Sequence, residues 1–212
     1  MKIQDLPKLT DGPGVYLFKE KGQILYIGKA TSLRDRVKSY FGKDLFNTRG
    51  PMVLDMVTKS DSLEFFETDS VLEALILEAN LIKKHQPVAN TKEKDNKSFY
   101  IVAVTKEEIP KVLIIREREL ENKDIKLRAK FGPFPNGSVI REAVSIVRRI
   151  FPFQDENSLK KDQKEFYRQL GLSPDFTKSD FKNTYEENIE NLILFFKGKK
   201  REIVKKLEKE MM

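Results

Sequence analysis

The stretch from Gly14 to Gly28 most constrains this chain, because it carries two short runs of strand-forming residues with a glycine turn between them. Tyr16-Leu17-Phe18-Lys19 runs out, Glu20-Lys21-Gly22 turns and Gln23-Ile24-Leu25-Tyr26 returns. A three-residue hairpin loop needs a last residue that tolerates positive φ, and Gly22 supplies it. This register sets Tyr16 directly opposite Tyr26, and the period of two along a strand sends both phenols to one face of the sheet. Two readings follow. The pair covers a core, or two hydroxyls of the chain's six tyrosines are gathered for chemistry. The hairpin alone does not choose between them.

The residues that follow add charge to the same place. Lys29 comes directly after Gly28, and Ser32 can cap a helix over Leu33 to Phe41. Leu33, Val37 and Phe41 form its apolar stripe, while Arg36 and Tyr40, four apart, share the adjacent face. Farther on, Ser70 and Glu73 read as a capping box, which gives Glu73 a structural task. The helix that it opens, Ala74 to Ile82, is apolar nearly all round and so largely buried. Glu78 lies in the middle of it. A bare carboxylate there is costly without a partner. Glu78 therefore pairs with a lysine or arginine, sits on the helix's wet edge, or serves as an oxygen ligand to a hard divalent ion.

These stretches resemble the GIY-YIG nuclease superfamily and, within it, the N-terminal part of the UvrC family together with the shorter Cho proteins. The likeness rests on Gly12 to Tyr16, Leu25 to Ala30, Leu33 to Phe41, Glu73 to Lys84, Pro87 and Asn90. It continues through Phe131-Gly132-Pro133-Phe134-Pro135 and the helix Val139 to Ile150, covering most of residues 1 to 153. The resemblance implies Tyr16, Tyr26, Lys29, Arg36 and Tyr40 as catalytic residues and Glu78 as the metal ligand. Asn90 is implied as a supporting side chain, and Gly28 as a position with no room for one. It also implies one Mg²⁺ or Mn²⁺ ion, DNA as substrate, and cleavage of one strand, by analogy the 3′ incision of nucleotide excision repair in the SOS response to DNA damage. UvrB is an implied partner, although the helical hairpin with which the family binds UvrB is absent, as are its second nuclease domain and helix-hairpin-helix module. Departures from the family pattern are His85 and Gln86 in place of Tyr-Arg, and Ala89 in place of a tyrosine. The family's cysteines are missing too. With no cysteine in the sequence, a thiolate-bound iron–sulfur cluster is excluded.

Chemistry narrows the mechanism. One carboxylate suits a single ion held mainly through waters and phosphate oxygens, and Arg36 can clamp the scissile phosphate. Tyr16 is the candidate general base, with Tyr26 and Tyr40 beside it, although the roles of the three can be permuted. A single histidine, His85, leaves histidine-centred nuclease sites without their parts. The alternative to an enzyme is a DNA- or UvrB-binding module whose nuclease site is idle or depends on a partner.

The formal net charge of +7 fits a polyanionic partner. Lys29, Arg34, Arg36, Lys38, Lys43 and Arg49 crowd the candidate site, and Arg34, Lys38 and Lys43 are the expected DNA contacts. No apolar run spans a bilayer and no secretory segment opens the chain, so a cytoplasmic protein with no membrane contact is expected. Its oligomeric state is left open. The fold class is α+β. A GIY-YIG module (1–92), with a small antiparallel sheet flanked by helices, precedes a β-rich extension ending in a helix (93–153). A polar linker and an amphipathic C-terminal helix follow (154–212). That last helix, Asn188 to Leu207, is expected to pack on the domain, with Gly198 as a possible break.

Overall fold

The structure, a computed structural model, describes residues 3–42, 50–92, 99–121, 124–156, 158–160, 162–175, 177 and 179–210. The chain divides into two compact units, Met1–Lys97 and Ser98–Met212. The segments 93–153 and 154–212, expected as separate parts, therefore do not divide at 153: residues 98–212 form one unit.

The first unit is built on a three-stranded antiparallel sheet, β1 (Gly14–Glu20), β2 (Gln23–Ala30) and β3 (Ser62–Glu67), in the order β2-β1-β3. The hairpin differs from the expected one. Glu20 pairs with Gln23, so the loop has two residues, Lys21 at φ 50° and Gly22 at φ 82°. Positive φ at both positions is the pattern of a type I′ turn, whose twist matches that of the strands. The register then shifts between Phe18 and Lys19, Phe18 pairing with Tyr26 and Lys19 with Ile24, which leaves Leu25 as an extra residue. Tyr16 consequently lies opposite Gly28 rather than Tyr26. The displacement is two residues, one full strand period, so Tyr16 and Tyr26 still share a face.

The sheet divides its residues by parity. Val15, Leu17 and Ile27 pack against Ala74 and Ile82 of α3 (Val71–His85). Tyr16 and Phe18 pack on the other side with Leu33 and Val37 of α1 (Leu33–Lys38), Tyr40, and Met56 of α2 (Pro51–Lys59). Ser32 caps α1 by accepting from the Asp35 N–H at 3.2 Å, and the chain continues in a 3₁₀ turn, Ser39–Phe41. Ser70 caps α3 in the same way through the Glu73 N–H at 3.1 Å, and the Glu73 carboxylate reaches back to the Asp69 N–H at 3.2 Å. The short α4 (Val88–Lys92) follows.

The second unit repeats the strand arrangement: β4 (Tyr100–Thr105), β5 (Val112–Arg116) and β6 (Leu127–Phe134) in the antiparallel order β5-β4-β6. β5 ends at Arg116, where Glu117–Glu121 turns into a helix, α5. Asn136 caps α6 (Gly137–Ile150), accepting from the Ser138 N–H at 2.9 Å. The segment expected as a polar linker is tied in. Gln154, Ser158 and Ser173 are buried, and the Gln154 N–H donates to Tyr185 Oη at 3.0 Å. After α7 (Lys164–Gln169), the expected last helix is two, α8 (Phe181–Phe196) and α9 (Lys200–Glu210), broken at Gly198 with φ 75°. Ile189, Leu192 and Phe196 of α8 are buried, and Phe196 stacks on Phe131 with ring centroids 5.2 Å apart. No described helix is long and apolar enough to cross a membrane.

Candidate active site

Strand order decides how deep each phenol lies. Tyr16 sits on the central strand and is fully buried, Tyr40 follows α1 and is 2 % exposed, and Tyr26 on the edge strand β2 is half-buried. Their rings form one cluster: Tyr16 lies 5.8 Å from Tyr40 and 6.2 Å from Tyr26, and Tyr26 lies 6.4 Å from Tyr40. Tyr16 Oη and Tyr40 Oη share a hydrogen bond of 2.7 Å. Arg36 is exposed but turns back over the cluster. Its Nε donates to Tyr16 Oη at 3.2 Å, and its guanidinium carbon is 5.6 Å from the Tyr40 ring centroid. Gly28 makes room for this. A Cβ there would fall 2.5 Å from Tyr16 Cζ and 2.8 Å from Tyr26 Cε1, where no side chain fits.

The carboxylate approaches along the edge of the sheet. Since β2 has β1 on one side only, the N–H groups of alternate residues, Ile27 and Lys29, point outward. Asn90 satisfies Ile27 completely, accepting from its N–H and donating to its carbonyl, each at 2.8 Å. Glu78 Oε1 accepts from the Lys29 N–H at 2.9 Å. Glu78 makes no ion pair and no other hydrogen bond among the described residues. An ionised carboxylate offers about four acceptor positions, so one bond leaves most of its capacity unused.

Burial sets the ionisation of these groups. Loss of solvent pushes the Glu78 carboxyl up to about 7, against the Lys29 charge, the Lys29 N–H bond and the Arg36 charge, which pull it down. Burial also lifts the Tyr16 phenol well above 10, aided by Tyr26 and Tyr40 and opposed by Arg36. A phenol so buried, with its oxygen engaged by Tyr40 and Arg36, is held neutral and away from solvent.

The fold clusters Tyr16, Tyr26, Tyr40 and Arg36 over Gly28, while Glu78 and Asn90 meet the backbone of the edge strand at Lys29 and Ile27. What sequence reasoning missed is that Glu78 is anchored by a backbone N–H; the signal would have been an edge strand, which the sequence does not display. Of the expected DNA contacts, Lys38 is exposed. Arg34 is instead engaged within the unit, by Asp11 at 2.8 Å and the Leu9 carbonyl at 3.4 Å. Lys43 and Arg49 lie outside the described residues. No group of three or more His, Asp or Glu side chains gathers among the described residues. A zinc-type or calcium-type cage is thus not built here. A lone, under-used carboxylate fits a magnesium-type ion that keeps its waters and takes phosphate oxygens.

Residues 12–91 match the family described as the UvrC-like GIY-YIG domain. The chain is similar to the UvrABC system protein C of Caldanaerobacter subterraneus subsp. tengcongensis, 35 % identical over 100 % of this chain and 34 % of that protein. It is likewise similar to the Thermus thermophilus protein of that name, 34 % identical over 100 % of this chain and 35 % of that protein. The chain spans about a third of the length of the curated relatives it matches. One solved structure is the GIY-YIG N-terminal endonuclease domain of UvrC from Thermotoga maritima bound to magnesium. It is 40 % identical, with 42 % of this chain and 99 % of that chain covered, at a TM-score of 0.37.

Proposed function

Taking as premise that residues 12–91 are a UvrC-like GIY-YIG nuclease domain, we propose that the chain is a metal-dependent DNA endonuclease that hydrolyses one phosphodiester bond in one strand. The observation that carries this reading is Glu78: a buried carboxylate held at the sheet edge by one N–H, under the influence of Lys29 and Arg36. Glu78 would hold the divalent cation, Mg²⁺ or Mn²⁺. When bound, that ion supplies charge neutralisation for the phosphate and the leaving 3′-oxygen. Arg36, oriented through Nε by Tyr16, presents its outer N–H groups to the non-bridging phosphate oxygens. Tyr26 is the phenol that reaches solvent, so it is the better group to take the proton of the attacking water at Oη. A free phenol near pKa 10 is ionised in only about one molecule in a thousand at pH 7, so this transfer needs the neighbouring cationic charge. Arg36, which lies within electrostatic reach of Tyr26, supplies part of that charge. Tyr16 and Tyr40 position Arg36, and Asn90 fixes the backbone between Tyr26 and Lys29.

Cleavage tests it directly. Supercoiled DNA with Mg²⁺ or Mn²⁺ should be nicked by the wild type, and EDTA should stop the reaction. Glu78→Ala, Arg36→Ala and Tyr26→Phe should each lose about 10²–10³-fold in rate. Equal nicking by all four proteins would overturn the proposal, and salt-sensitive binding without cleavage in any metal would favour a binding module. End-labelled damaged DNA, with and without UvrB, reports the strand, the side of the lesion that is cut and the place of UvrB.

A further inference from the structure

The second unit gathers cations that the nuclease site does not use. Tyr100 opens β4 and pairs across the sheet with Arg116 of β5. The Arg116 guanidinium carbon lies 4.6 Å from the Tyr100 ring centroid, and that of Arg141 on α6 lies 5.2 Å from it. The start of α6 is pressed against the same ring, where a Cβ at Gly137 would fall 2.5 Å from Tyr100 Cζ. One aromatic ring therefore holds two guanidinium groups together. From Arg141 the helix repeats on one side as Ser145 and Arg149, four residues apart each time, and all three line a cavity of about 390 Å³.

Ion pairing separates Arg141 and Arg149 from their neighbours. Arg128, Lys130, Arg148, Arg168 and Lys182 each meet a carboxylate. Arg141 and Arg149 meet none among the described residues. Of the acids lining the cavity, Asp155 is neutralised by Arg148 at 2.8 Å, which leaves Glu156. The composition points the same way: residues 98–212 hold 24 lysines and arginines against 19 acids, and residues 1–97 hold 16 against 14.

We propose that Arg116, Arg141 and Arg149 form a second DNA-binding surface that grips the phosphate backbone apart from the cleavage chemistry. The choice of DNA as the polyanion rests on the nuclease reading above. Tyr100 is a positioning residue, holding two planar cations where successive phosphates can meet them.

The test is fluorescence anisotropy of a labelled DNA duplex in EDTA across a salt series, with thermal unfolding as the folding check. Arg116→Gln/Arg141→Gln should weaken binding by about tenfold or more at low salt and cut the salt slope by about 2. Arg149→Gln, which disturbs no ring contact, should cut the slope by about 1. Arg116→Lys/Arg141→Lys should keep the wild-type slope, because a point charge still meets phosphate. Unchanged binding by the glutamine variants would overturn the surface, as would lysine variants that lose as much as the glutamine ones. Cleavage is read separately with Mg²⁺. Arginine-dependent binding without nicking overturns the nuclease reading alone, and nicking with arginine-independent binding overturns this surface alone.

Discussion

Arg36 in the first unit and Arg148 in the second both sit against tyrosine rings, yet they do opposite work. Arg148 is 6 % exposed and spends its donors inside the protein, on the Leu172 carbonyl at 2.7 Å, the Phe153 carbonyl at 2.9 Å and Asp155 at 2.8 and 3.3 Å. Its guanidinium carbon also lies 4.3 Å from the Tyr167 ring centroid. Among the described residues Arg36 spends only Nε, on Tyr16, and it stays exposed. An arginine satisfied on all sides holds structure together, whereas one oriented through a single bond can meet a ligand. The two sheets differ in the same sense. Each places its first strand between the next two. The central strand β4 is aliphatic through Ile101, Val102, Ala103 and Val104, while β1 carries Tyr16 where Gly28 leaves room for a hydroxyl.

The largest expected effect separates the two arginines. Arg148→Ala should cost about 3–5 kcal/mol of stability in denaturant unfolding, because Asp155 and two carbonyls lose their donor. Arg36→Ala should cost only about 1 kcal/mol, since among the described residues it gives up one part-buried hydrogen bond and Tyr40 still partners Tyr16 Oη, while cleavage falls about 10²–10³-fold. Equal stability losses would erase the distinction.

Glu78 sharpens it through pH. Its folded-state pKa of about 7 lies above the ordinary 4.5, so the folded protein binds the proton more tightly than the unfolded chain. The resulting stability is complete below about pH 4.5, declines as pH rises, and is lost above about 7, a total near 3 kcal/mol. Glu78→Gln should flatten this contribution, and the difference between the two unfolding profiles measures it. At pH 8, Mg²⁺ should raise the melting temperature of the wild type and not of Glu78→Gln.

A smaller effect is expected at Gly28. Gly28→Ala drives a methyl into the Tyr16 and Tyr26 rings, which should cost about 1–3 kcal/mol and displace both phenols. Thermal unfolding together with a fall in nicking checks it. Asn90→Ala should cost about 1–2 kcal/mol by leaving the Ile27 N–H and carbonyl at the sheet edge without their partner. Hydrogen exchange at the Ile27 amide should accelerate, and an unchanged rate would remove the positioning role.

Much of the fold was legible because local chemistry fixes local structure. Ser32, Ser70 and Asn136 each mark a helix start by offering a side-chain oxygen to an N–H two or three residues on, and each does so in the structure. Gly22 marked the turn. The loop is one residue shorter than the sequence suggests because Lys21 also adopts positive φ, and sequence composition does not reveal a bulge at Leu25. The residues gathered around Tyr16 were legible in type, by face and by family likeness. Their depth was not. Arg34 was legible as a charge, but its pairing with Asp11 and the Leu9 carbonyl was not.

The sequence by itself determined the helix caps, the shared face of Tyr16 and Tyr26, the lack of cysteine ligands in these 212 residues and the membership of a nuclease domain family. Those properties depend on residues near one another in the chain, or on composition. Only the tertiary structure decided that Tyr16 is buried while Tyr26 meets solvent, that Glu78 hangs on the Lys29 N–H, and that Arg116 and Arg141 share the Tyr100 ring. Each of these depends on which strand lies at the edge of a sheet and which helix packs against it, and that is settled by burial across the whole unit rather than by any local run of residues.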